Sequence, residues 1–237
     1  MYSPEIIQTI FENNGGIFMT PAPRIAKKLE NIKAFLFDWD GVFNSGKKGV
    51  EFTSTYSETD VLGINLLRFS FYLRFNTIPF LAIVTNLVNE SALQLAKREY
   101  FNAVYVSIKN KRDALNHIQE TYNIRPSQIA FVMDDVLDLP AAELTGLSFM
   151  VGRKASPLFN EYVRKNELVD YITYQRGDLN AVREICELIM GLNGNFVQTI
   201  EERMKYSESY ETFATLKEDI EAKFYHKVDK KIIETII

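Results

Sequence analysis

Two aspartates flank a single residue in Asp38-Trp39-Asp40-Gly41, directly after the apolar run Ala34 to Phe37. Alternate residues of an extended chain point the same way, so both carboxylates can face one site as the chain turns. Carboxylates with a backbone oxygen suit a hard cation such as magnesium. The same residue types also make turns and helix caps. A second acidic set, Asp134-Asp135 with Asp138 close behind, follows the apolar run IAFVM. Adjacent carboxylates repel, and a cation or a shared proton relieves the repulsion; the plainer reading is a solvent-facing loop with a capping role. Thr85-Asn86 closes AIVTN, where a hydroxyl and a backbone N–H can hold a phosphate oxygen or simply cap a helix. Lys111, with Lys109 nearby in IKNKRDAL, can neutralise phosphate charge or remain a solvated surface lysine.

The elements around these residues alternate. AFLF, PFLAIVTN, AVYVS, QIAFVMDD and LSFMVG are short apolar runs, as expected of buried parallel strands, with LSFMVG the last. Between them, helices are predicted over 60–74, from an Asn89 cap to about Tyr100, over Lys111 to Tyr122, from Ala141 to Leu144, and over Asn180 to Met190. Strands alternating with helices imply an α/β fold, a parallel sheet with helices on both faces. Such sheets carry their chemistry at the carboxyl ends of the strands, where Asp38, Asp40, Thr85, Asn86, Asp134 and Asp135 fall. Residues 42–56, with Gly46 and Gly49 around two lysines, suggest a small β-hairpin flap. A short helix near Pro4 to Glu12 and a basic helix, RIAKKLENI, occupy an N-terminal extension, 1–29. The main domain is expected over 30–194. A C-terminal extension, 195–237, is expected to be helical from FVQTIEERM and TLKEDIEAKF.

Composition bounds the partners. The 237 residues are 46% hydrophobic and 24% charged, as in a chain with a packed core. A net charge of -4 gives no electrostatic case for nucleic acid or an anionic membrane. The most apolar stretch, FSFYLRFNTIPFLAIV, is interrupted by Arg74, Asn76 and Pro79, short of the roughly 20 apolar residues that span a bilayer. No signal peptide is read at the N-terminus. The one cysteine, Cys186, sits on an apolar helix face and fits a reducing, cytoplasmic setting.

Taken together, the order and spacing resemble the haloacid dehalogenase (HAD) superfamily, whose pattern is strand-DxDG, strand-Thr, a lysine, then strand-DD or DxxxD. The likeness spans roughly residues 30–194. It is nearest the capless branch of 3-deoxy-D-manno-octulosonate (KDO) 8-phosphate phosphatases, on FLFDWDGVFNSG, ETDVLGINLL, NKRDAL, IAFVMDDVLDLP, GLSFMVG and NAVREICELI. The resemblance implies a Rossmann-like fold and a magnesium-dependent phosphatase acting on a small phosphorylated metabolite, in this branch a sugar phosphate. It implies Asp38 as the nucleophile that becomes an aspartyl-phosphate, and Asp40 as general acid and then base. It implies Asp38, Asp134 and the Asp40 carbonyl as magnesium ligands, Asp135 or Asp138 orienting them, and Thr85, Asn86 and Lys111 on the phosphoryl group. The gaps from Asp40 to Thr85 and from Thr85 to Lys111 hold no cap domain, for which the usual minimum is about 50 residues. Capless relatives close their sites by oligomerising, typically as homotetramers.

Four positions depart from the branch. Met133 replaces a glycine, Leu87 an arginine and Thr59 another arginine, and Trp39 replaces a small or β-branched residue. With fewer cations to face an acidic sugar, the likeness carries the chemistry and leaves the substrate open. A non-catalytic scaffold is the main alternative, but it would be free to lose the acidic set, which is intact. A phosphotransferase or mutase usually has a water-excluding cap, and no such insert is visible.

Overall fold

The computed structural model describes residues 2–48, 54–229 and 231–235. The apolar runs form the middle of one nine-stranded sheet. In chain order its strands are β1 (Ile17–Phe18), β2 (Ala34–Asp38), β3 (Phe80–Val84), β4 (Ala103–Val106), β5 (Ile129–Met133), β6 (Leu147–Met150), β7 (Tyr171–Ile172), β8 (Lys223–Val228) and β9 (Lys231–Thr235). The spatial order is β1-β7-β6-β5-β2-β3-β4-β8-β9, with every pairing parallel except β1–β7 and β8–β9 at the two edges. From β2 the chain steps outward through β3 and β4, then returns to lay β5 on the other side of β2. The crevice of such a sheet opens where the strand order reverses, here at the carboxyl ends of β2, β3 and β5.

Side-chain alternation sorts the core into two layers. Phe35, Phe37, Leu81, Ile83, Ala130 and Val132 point to one face. Leu36, Ala82, Val84, Phe131 and Met133 point to the other. The first face is covered by α1 (Pro4–Asn13), α2 (Ala22–Leu29), α3 (Glu58–Phe75), α4 (Glu90–Arg98) and α8 (Ala181–Leu192). The second carries α5 (Arg112–Tyr122), α6 (Leu139–Ala142) and α7 (Pro157–Lys165). Caps fix several starts: Ser3 accepts from the Ile6 N–H, Ser57 from Thr59 and Asn89 from Ser91. α3 is apolar nearly all round because it is buried on two sides. α8 packs along one side, and α9 (Phe196–Met204) and α10 (Glu208–Glu218) lie against another. There Phe213 and Tyr210 meet Phe69 with ring centroids 5.2 and 5.3 Å apart.

The edges differ from expectation. LSFMVG is not the last strand, because β7, β8 and β9 follow it. TLKEDIEAKF does not stay helical: α10 ends at Glu218, and Lys223 already belongs to β8, parallel to β4. Adjacent Phe224 and Tyr225 bury into opposite layers, which a strand achieves and a helix face does not. Tyr225 stacks on Tyr105 at 5.1 Å and shares a 2.6 Å hydroxyl contact with Tyr122. One sheet thus contains strands from all three segments, 1–29, 30–194 and 195–237. The flap hairpin expected over 42–56 falls partly outside the described residues; 42–48 and 54–56 contain no strand. Among the described residues, only loop and α3 lie between β2 and β3, and only α4 between β3 and β4, so no cap domain is present. Among the same residues, no helix is long and apolar enough to cross a membrane.

Candidate active site

The ends of β2, β3 and β5 open into a cleft of about 260 Å³. Asp38, Asp40, Thr85, Asn86, Lys111, Asp134, Asp135 and Asp138 all line it, so the fold brings the predicted residues to one place. Asp38 is the last residue of β2 and is nearly buried. Lys111, at the start of α5, reaches its Oδ1 with Nζ at 2.7 Å. The same ammonium pairs directly with Asp138 Oδ1. Asp138 Oδ2 accepts the N–H groups of Asp134 and Asp135 at 3.2 and 3.4 Å, which fixes the turn after β5. Thr85 is held by its backbone, whose N–H reaches the Tyr105 carbonyl at 2.8 Å. Asn86 is exposed at the cleft wall. Asp135 stands further out, half exposed, with Oδ1 on the Val136 N–H at 2.7 Å.

The turn after Asp38 is built by local bonds. Asn44 Oδ1 accepts from Gly46 N–H at 2.8 Å and Gly41 N–H at 3.4 Å, while Asn44 Nδ2 donates to the Trp39 carbonyl. Gly41 has φ +90°, and a Cβ there would overlap Asp134 Oδ2. Both constraints require glycine. Trp39 does not narrow the cleft. It is fully buried, stacked on Phe43 with centroids 4.9 Å apart.

Three further residues of the site carry no signal strong enough to find from sequence. Arg153, in the loop after β6, donates to Asp134 Oδ2 and lies 3.7 Å from Asp135. A cation just past a buried strand end was the available clue. Lys48 places Nζ 2.6 Å from Asp40 Oδ2. Ser54 donates to Asp40 Oδ1 at 2.9 Å.

The electrostatics describe a crowded acidic centre. Burial pushes the Asp38 carboxyl up to about 7; Lys111 counters this and Asp138 adds to it. Burial, then the charges of Asp38 and Asp138, push Asp134 up to about 8, against the pull of Arg153. Burial works against the Lys111 ammonium, but Asp38 and Asp138 outweigh it and hold its pKa above the usual lysine value. Oxygens of Asp38, Asp134 and Asp138 lie within 4.8 Å of one another. An all-oxygen set of buried carboxylates that resist ionising beside each other fits a small divalent cation, which would favour the charged forms. Both Asp138 oxygens are already committed, so Asp38 and Asp134 are the side chains with capacity left to hold an ion.

No family model matches this chain. Among curated proteins, it is 30% identical over 182 residues to the KDO 8-phosphate phosphatase of Salmonella typhimurium, covering 73% of this chain and 87% of that protein. The Escherichia coli K12 phosphatase of the same name is 30% identical over 179 residues, covering 72% and 85%. Among solved structures, the Moraxella catarrhalis KDO 8-phosphate phosphatase, in complex with magnesium, phosphate and KDO, superposes with a TM-score of 0.62 at 28% identity. That match covers 75% of this chain and 97% of the other. The chain belongs to the KDO 8-phosphate phosphatase family of the HAD superfamily.

Proposed function

We propose that this protein is a magnesium-dependent phosphatase that hydrolyses a small phosphate monoester, a sugar phosphate in class, through an aspartyl-phosphate on Asp38. The observation that carries the reading is the Lys111–Asp38 pair at 2.7 Å beside Asp134 on the cleft floor. An anionic nucleophile there meets both a fixed ammonium and the oxygens suited to a cation. The magnesium phosphatase of Moraxella catarrhalis supports it through its likeness to this chain.

In this reading Asp38 attacks phosphorus and the bond to the ester oxygen breaks. Asp40 gives its proton to that oxygen, releasing an alcohol. Asp40 then takes a proton from water as the water attacks phosphorus, which frees inorganic phosphate and restores the Asp38 carboxylate. Lys111, Thr85 and Asn86 hold the phosphoryl oxygens while charge spreads over them. Asp38, Asp134 and the Asp40 carbonyl would hold magnesium, which supplies charge neutralisation between nucleophile and phosphate. Asp138 keeps Lys111 and the turn after β5 in place.

A screen of sugar phosphates and nucleotides, with and without magnesium, alongside Asp38→Asn, tests the proposal. Metal-dependent release of phosphate that Asp38→Asn abolishes is expected. A wild type that releases no phosphate from any monoester, or a fully active Asp38→Asn, refutes it.

A further inference from the structure

Trp39 is the residue for which the cleft itself has no use, yet its indole nitrogen points back toward the site. Its Nε1–H donates to Ser54 Oγ at 2.9 Å. Asn89 Nδ2 donates to the same oxygen at 2.7 Å. The Asn89 amide cannot be turned round, because its Oδ1 accepts the Ser91 N–H at 3.1 Å as the cap of α4. An indole N–H and an amide NH2 are donors only, so neither can receive the Ser54 hydrogen. The one hydroxyl hydrogen therefore goes to Asp40 Oδ1, 2.9 Å away. Trp39 and Asn89 are essentially buried, and so is Ser54. Water has little room to replace either donor.

We propose that Ser54, its hydroxyl aimed by Trp39 and Asn89, is a positioning residue that fixes the orientation of the Asp40 carboxyl group. Because a hydrogen already points at Oδ1, that oxygen stays an acceptor. Lys48 places its ammonium 2.6 Å from Oδ2, so the two carboxyl oxygens are held from two fixed directions. This geometry holds the carboxyl plane, so the group is aimed the same way for giving a proton to the ester oxygen and for taking one from water. The replacement of a small or β-branched residue by Trp39 thus supplies a directional donor, which an aliphatic side chain cannot do. This inference rests on Asp40 being the general acid, and the test separates the two ideas.

The probes are 4-nitrophenyl phosphate and phenyl phosphate, assayed with magnesium and compared by kcat/KM. They differ little in shape, but the phenyl leaving group is the more basic and gains more from a donated proton. For Ser54→Ala we expect phenyl phosphate to lose about tenfold, a fraction of the roughly hundredfold or more that general acid–base catalysis contributes, while 4-nitrophenyl phosphate loses less than about twofold. Ser54→Thr, which keeps a hydroxyl, should recover most of the loss. Trp39→Phe, which keeps the ring and removes the donor, should show the same split at smaller size, and serves if Ser54→Ala fails to fold. Asp40→Asn is the control and should show the largest split. If Asp40→Asn shows the split while the Ser54 and Trp39 variants do not, or lower both probes equally, the positioning role is refuted. If Asp40→Asn itself shows no split, the general-acid reading fails and takes this inference with it.

Discussion

Asp60 gives the sharpest quantitative test of the fold that carries the site. It is fully buried where α3 meets α8, and its Oδ1 accepts the Arg183 N–H at 2.8 Å. It thereby caps α8, whose own preceding residue, Asn180, makes no side-chain cap. Among the described residues, its buried Oδ2 has no hydrogen-bond partner. Burial pushes the carboxyl from 3.8 up to about 7, with the Arg183 bond and charge pulling the other way. The sign follows from the raised value. Between pH 4 and 7 the unfolded chain has released this proton and the folded chain has kept it, so stability falls as pH rises through that window. A shift of about 3 units corresponds to a ceiling of about 4 kcal/mol at 1.36 kcal/mol per unit. Asp60→Asn keeps an oxygen for Arg183 and removes the ionisation. The variant should gain on wild type by about 2 to 4 kcal/mol between pH 4.5 and pH 8. Urea unfolding at a series of pH values measures it. Asp38 and Asp134 are raised as well, so the informative quantity is the difference between wild type and variant, in which they cancel. A difference that stays flat with pH, or that favours wild type increasingly toward pH 8, would refute the argument.

Replacing Lys111 with Met leaves Asp38 and Asp138 without their ammonium; kcat/KM should fall by about 100-fold or more, read in a phosphate-release assay, with a lower melting temperature as well. Gly41→Ala forces a Cβ onto a backbone at φ +90° and against Asp134; circular-dichroism melts should show a loss of about 1 to 3 kcal/mol, with activity reduced. Magnesium should raise the melting temperature of wild type, since a ligand of the folded state stabilises it by mass action. The rise should vanish in Asp134→Asn, and chelation followed by added magnesium should abolish and restore phosphate release.

Much of the site's location was legible because it depends on strand ends. Asp38, Thr85 and Asp134 each follow an apolar run, and parallel pairing of β2, β3 and β5 brings those ends together. Lys111 was legible as a helix start after β4. Ser54 and Arg153 were not, because their partners are set by packing across the molecule, and a cation just past a strand end is too weak a mark on its own for Arg153. Thr59 and Leu87, where the branch has arginines, suggested a site poor in cations; Arg153 and Lys48 reach the acidic residues from other loops. The edge strands escaped for a different reason. β1 and β7 are two residues each, too short for any alternation. The apolar residues of TLKEDIEAKF satisfy a helical period that runs on into the first residues of β8, and only pairing with β4 decides where the helix gives way to the strand.

That pairing has a consequence for how the protein is made. β4 is synthesised well before β8, with α5 through α10 emerging in between. Until Lys223–Val228 leaves the ribosome, the nascent sheet ends on Ala103–Val106, an apolar strand with one row of backbone groups open. Parallel partners distant in sequence pair slowly, and an open apolar edge is where nascent chains pair with the wrong neighbour. Ribosomes stalled ahead of Lys223 should therefore carry chains whose catalytic loops are already translated but whose sheet still needs a chaperone at its β4 edge.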